Sequence, residues 1–153
     1  MLDWKEEEIL VLAKAYPTPS AKYAETVCTA GVTRSGRWIR LYPVTFRDPP
    51  FNKRYEKFQW IRVRITPAKE KLSRPESYKV DLDSIELLEK TPSGKGWNER
   101  NKYIKPLLNK SLEEIISLQE KENRSLGMFK PKKIIDFRIE NVKSDWDEKQ
   151  KAK

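Results

Sequence analysis

ETVCTAGVT (residues 25–33), followed at once by the turn RSG (34–36) and the run GRWIRLYPV (36–44), decides the fold. Both flanks have strand length and carry β-branched residues. Gly36 supplies the left-handed backbone that a tight turn between strands requires. The segment reads as a β-hairpin. Alternate residues of a strand share a face, so Ile39 and Leu41 point one way and Trp38, Arg40 and Tyr42 the other. One side of the hairpin is suited to a core. The other is aromatic and basic.

QWIRVRI (59–65) repeats the pattern, with Ile61, Val63 and Ile65 opposite Trp60, Arg62 and Arg64. If the two strands are sheet neighbours, their second faces merge into a platform of two tryptophans, one tyrosine and three arginines. Single-stranded nucleic acid needs this chemistry, because bases stack on rings while guanidinium groups neutralise phosphate and stack as well. The loop RDPPFNKRYEK (47–57) extends the path with Arg47, Lys53, Arg54 and Tyr55. The plainer alternative is a solvated sheet in which Arg and Trp pair with each other as cation–π contacts, or a face that the helices cover.

Charge placement supports an anionic partner. The net charge is +9, and between Arg34 and Arg74 twelve basic residues face three acidic ones, so the remainder of the chain is neutral. The basic window is rich in arginine, whose planar fork pairs with phosphate. Elsewhere lysine dominates.

Outward from the hairpin, EILVLAKAY (8–16) is an apolar run of strand length, read as a buried strand. KVDLDSIELLEK (79–90) reads as a further strand, bulged or broken. The period turns helical near TPSGKG (91–96). A first helix is expected over 97–109, with Pro106 kinking or ending it. Ser111 and Glu114 form a capping box for a second helix ending near Glu122. SLGMFKPKK (125–133) is a loop, and IIDFRIENV (134–142) is a last strand. The fold class is therefore β-rich α+β: a small β-barrel or strongly bent antiparallel sheet with a helical hairpin inserted at 97–122. Residues 1–142 form a single domain and 143–153 a charged tail. Two fused minimal barrels are the alternative.

Several function classes are poorly supplied. There is no histidine, the commonest general base and metal ligand. Asp81, Asp83, Glu86 and Lys90 cluster loosely and read as a solvated strand edge. Cys28 reads as a small buried hydrophobe, since no histidine can activate it. GKG (94–96) lacks the spacing of a phosphate-binding loop. No catalytic residue, metal site or cofactor is expected. A single cysteine, an acidic start (MLDWKEEEIL) and no long apolar run point to a cytoplasmic protein. The bias toward Lys and Glu resembles that of heat-adapted proteins.

TVCTAGVTRSGRWIRLYPV (26–44) resembles the opening hairpin of the dual OB-containing domain family, in which a Cys-x-Ala-Gly strand turns into Gly-x-Trp-Ile-Arg with a proline soon after. The matching positions are Cys28, Ala30, Gly31, Gly36, Trp38, Ile39, Arg40 and Pro43. SLGMFKPKKI (125–134) is similar in placement to a Leu-Gly segment of that family. The resemblance implies oligonucleotide-binding-like barrels and a nucleic-acid-related role in microbial conflict or defence. The expected function is a nucleic-acid-binding protein. The alternatives are a sensor or hydrolase that clamps a nucleotide or small anion in an Arg-lined pocket, and a subunit whose basic face meets an acidic protein.

Overall fold

The computed structural model describes residues 3–15, 18–20, 24–45, 54–68 and 74–141. The hairpin of the sequence reading is present as β3 (Ala24–Thr33) and β4 (Trp38–Thr45). Gly36 has φ +82° and its amide donates to the Thr33 carbonyl at 3.0 Å, which closes the turn. The other strands are β1 (Lys5–Lys14), β2 (Thr18–Ser20), β5 (Gln59–Pro67), β6 (Ser77–Val80) and β7 (Glu86–Lys90).

β1 pairs antiparallel with both β3 and β5, β4 runs parallel to β6, and β6 pairs antiparallel with β5. The order β1-β3-β4-β6-β5 thus returns to β1. Five strands close a small barrel, with β2 added beside β3 and β7 beside β5. This closed β-barrel fits an OB-like fold. Closure leaves no free edge on the ring itself.

Inward-facing residues fill the barrel. Ile9 and Val11 of β1, Ile39 and Leu41 of β4, and Ile61, Val63 and Ile65 of β5 are all at most 1% exposed. The aliphatic faces expected from the alternation are therefore the core. Gly31 leaves no room for a side chain between β3 and β1: a Cβ there would sit 2.5 Å from Ile9 Cγ2 and 2.6 Å from the Leu10 carbonyl oxygen. Any larger residue would push the two strands apart.

A second core lies outside the barrel wall. Leu10, Leu12, Val32, Phe58 and Trp60 pack there with Leu107, and Tyr103, Ile104 and Met128 lean against them. β1 has apolar layers on both sides, which is why residues 9–12 are continuously apolar rather than alternating.

The covering elements are α1 (Gly94–Ile104) and α2 (Leu112–Glu122), joined by a 3₁₀ turn (Lys105–Leu107). Between them β8 (Leu108–Asn109) pairs with β9 (Met128–Phe129). The hydroxyl half of the capping box forms, Ser111 Oγ accepting from the Glu114 amide at 3.2 Å, whereas the Glu114 carboxylate reaches one residue further back, to the Lys110 amide at 2.6 Å. Asn123, at φ +55°, ends α2.

Several expectations change in detail, the loop expected at 125–133 among them, since Met128–Phe129 forms β9. The first helix starts at Gly94 and stops at Ile104, because Pro106 has no amide to continue the α ladder and the chain tightens to 3₁₀. The expected strand 79–90 is broken: Asp81 accepts from the Asp83 amide at 3.2 Å, turning the chain between β6 and β7. Residues 134–141 of the expected last strand join no sheet. The barrel closes through β1 and β5 without them, and Ile134, Ile135, Phe137 and Ile139 are 74–90% exposed. Among the described residues, no helix is long and apolar enough to cross a membrane.

Candidate functional site

β4 carries the first half of the expected platform on the outer wall. Tyr42 is 39% exposed, while Trp38 and Arg40 are half-buried beside it. The Arg40 guanidinium lies 5.1 Å from the Tyr42 ring centre. It donates to Ser77 Oγ at 3.1 Å and to Cys28 Sγ at 3.0 Å. No carboxylate among the described residues holds it. Cys28 is half-buried and serves as a hydrogen-bond acceptor for this arginine.

The second half is not assembled beside it. β6 stands between β4 and β5, so the outer faces of those two strands do not merge. Trp60 is only 2% exposed. The Arg34 guanidinium lies over its ring, and the Tyr103 ring of α1 meets it edge-on at 4.9 Å. Trp60 is a core residue of the second cluster, because α1 covers the outer wall at this end of β5.

Arg62 and Arg64, farther along β5, are in ion pairs. Arg62 binds Glu8 and Glu86, each at 2.9 Å, and Arg64 binds Asp81. The hydrogen bonds from Arg34 and then Arg62 hold the Glu8 carboxyl below the usual carboxylate range. Glu89 is lowered chiefly by Arg34, which it meets at 2.8 Å. The basic residues of this wall are thus matched by acids from β1 and from the region 81–89. The charge excess of the sequence window is not an excess in space along β5.

In the basic loop, Tyr55 is 6% exposed and its hydroxyl meets Thr29 Oγ1 at 2.7 Å. Burial pushes that phenol up, against the opposing hydrogen bond from Thr29. Tyr55 therefore plugs the barrel and presents no ring to a ligand. Arg54 is exposed. Arg47 and Lys53 lie outside the described residues. Asp81 and Glu86 are engaged with Arg64 and Arg62 respectively, and Lys90 with Glu56 at 2.8 Å. No set of three metal-binding side chains occurs among the described residues.

Sequence reasoning missed a cleft of about 440 Å³ where the β3–β4 turn meets the helical layer. Trp38 and Tyr78 are in its walls, Glu76 and Asn109 supply polar groups, and Arg37 and Arg124 lie at its sides. Glu76 is 8% exposed. Its Oε1 accepts from both the amide and the hydroxyl of Ser125, each at 2.6 Å, whereas its Oε2 has no hydrogen-bond partner. These residues come from distant parts of the chain. Only Trp38, through its place on β4, gave a signal.

Residues 5–106 match a sequence family described as a domain of unknown function, DUF8758, which is well over half of the chain. No curated protein and no solved structure matches the chain.

Proposed function

The chain belongs to the DUF8758 family, and we propose that it binds single-stranded or structured nucleic acid along the β4 wall of its barrel. Arg40 carries this reading. It sits between Trp38 and Tyr42 on an outer face, oriented by Ser77 and Cys28, with no carboxylate among the described residues neutralising it. A guanidinium fixed by neutral partners keeps its charge for phosphate, and the neighbouring rings offer π-faces to bases. The net charge of +9 favours a polyanion, and barrels of this shape commonly bind oligonucleotides on an outer strand face. The hairpin's similarity to the dual OB-containing domain family points the same way and adds a role in microbial conflict or defence. A ligand enclosed within the barrel is disfavoured, because Ile9, Ile39, Ile61 and Val63 fill the interior.

The test is titration of labelled single-stranded RNA and DNA across a range of salt concentrations. Each phosphate contact contributes about −0.7 to the log–log slope for a single strand. Tight binding at low salt with a slope of several such units supports the proposal. No binding at low salt, or affinity indifferent to salt, overturns it.

A further inference from the structure

Residues 134–141 join no sheet, and Ile134, Ile135, Phe137 and Ile139 stand in solvent although apolar. A single exposed apolar residue is ordinary, but four within six positions mark an interaction surface. Their order is that of a strand. Ile135, Phe137 and Ile139 would share one face, with Asp136, Arg138 and Glu140 on the other. Such a strand needs a neighbour. We infer that this arm pairs with the same arm of a second copy of the chain, as an antiparallel two-stranded ribbon centred on Phe137. The inference is independent of the nucleic-acid reading.

The arm itself specifies the partner. About Phe137 the order Ile-Asp-Phe-Arg-Ile (135–139) reads alike in both directions, except that an acid on one side answers a base on the other. Two copies laid antiparallel with Phe137 opposite Phe137 set Ile135 against Ile139 and Asp136 against Arg138, each contact occurring twice. Ile134 then falls opposite Glu140 at the ends of the ribbon. This is the self-complementarity of a twofold interface. Opposite charges across a strand pair stabilise it and like charges destabilise it. A parallel in-register pair would put Asp136 on Asp136 and Arg138 on Arg138, so charge selects the antiparallel arrangement. A slip of one residue would mix the apolar face with the polar one. Within the single chain these charges have local contacts: Arg138 lies 3.7 Å from Glu140, and Asp136 accepts from the adjacent Phe137 amide at 2.8 Å. Two strands alone are marginal in water, and the body offers a cover for the ribbon. α2 exposes Leu112 and Ile116 one turn apart, on a helix with four acids and one base, while Lys130, Lys132 and Lys133 lead into the arm.

The experiment is sedimentation velocity of the full chain over a range of concentrations, alongside Asp136→Arg, Arg138→Asp, an equimolar mixture of those two, and Phe137→Ser. The parent is expected to dimerise reversibly. Each charge reversal sets like charges opposite each other at two symmetry-related positions, which should raise the dimer dissociation constant about tenfold. Mixing the two reversed chains should restore association, because every reversed residue then meets its opposite. Phe137→Ser should leave the chain monomeric. All three positions are exposed, so the barrel is expected to fold in each variant, which far-ultraviolet circular dichroism checks. A parent that stays monomeric at every concentration overturns the inference, and so does a dimer that all three variants keep. Charge reversals without effect, or a mixture that fails to restore association, overturn the antiparallel pairing.

Discussion

The guanidinium carbon of Arg34 lies 3.6 Å from the centre of the Trp60 ring. The same guanidinium donates to Glu8 and to Glu89, each at 2.8 Å. One side chain from the hairpin turn therefore binds β5 through its flat face and β1 and β7 through its edge. Burial alone would lower the Arg34 pKa, but its hydrogen bonds to Glu89 and Glu8 outweigh that and raise it. Arginine and tryptophan are joined here as a cation–π pair within the chain, the exposed arginine capping a buried ring.

Truncation separates Trp60 from the β4 strip. Trp60→Ala is expected to cost about 3–5 kcal/mol, as a buried aromatic does when it leaves a cavity. Tyr42→Ala, at a half-exposed position, should leave the melting temperature close to that of the parent. Thermal unfolding of both variants is the check. Equal melting temperatures would place Trp60 outside the core.

The Arg34–Glu8–Arg62 cluster makes stability fall in acid. Glu8 is lowered from 4.5 chiefly by Arg34 and next by Arg62, and Glu89 is lowered by Arg34. A carboxyl depressed in the folded state binds its proton more readily when unfolded. Its stabilising contribution is present above about pH 4.5 and is lost as pH falls through the depressed folded value. Glu8→Gln should therefore melt earlier than the parent at neutral pH and show a shallower decline below pH 4.5. Parallel declines in the two proteins would mean that Glu8 is not the group being titrated.

The hairpin and the inward faces were legible in the sequence because they depend on local period and on one turn. Ile39, Leu41, Ile61, Val63 and Ile65 alternate without interruption, and Gly36 marks the reversal. The outward faces were not legible in the same way. Trp60 and Arg62 are two residues apart on one face, yet α1 covers the first and leaves the second to Glu8 and Glu86. Which part of a wall a distant helix covers is set by tertiary packing. Nor does a count of charges along the chain reveal that Glu7 and Glu8 fold against arginines of the basic window. Glu76, among charges of an unremarkable loop, became notable only when Ser125 was placed against it.

Tyr55→Phe tests the reading of the basic loop. Removing the hydroxyl leaves Thr29 Oγ1, a fully buried atom, without its 2.7 Å partner. The expected cost is about 1–3 kcal/mol of stability, measured by denaturant unfolding. Oligonucleotide affinity under conditions where the protein stays folded is expected to be unchanged. A loss of affinity with no loss of stability would return Tyr55 to the binding surface.

The last prediction sets Arg40 against Arg62, two outward arginines that the sequence alone cannot distinguish. Arg62 is raised by its hydrogen bonds to Glu8 and Glu86, so its charge is already satisfied within the wall. Arg40 is oriented by a hydroxyl and a sulfur. Counterion displacement requires a cation that exchanges solvent ions for phosphate. Arg40→Ala should therefore weaken single-strand binding and reduce the salt slope by about 0.7, whereas Arg62→Ala should leave the slope unchanged. Tyr42→Ala should cost about 1–3 kcal/mol of affinity at constant slope, since it removes stacking and no charge. Salt titrations of the three variants against one labelled strand decide the matter. If Arg62→Ala reduces the slope and Arg40→Ala does not, the strand crosses β5 rather than β4, and the binding path proposed here is wrong.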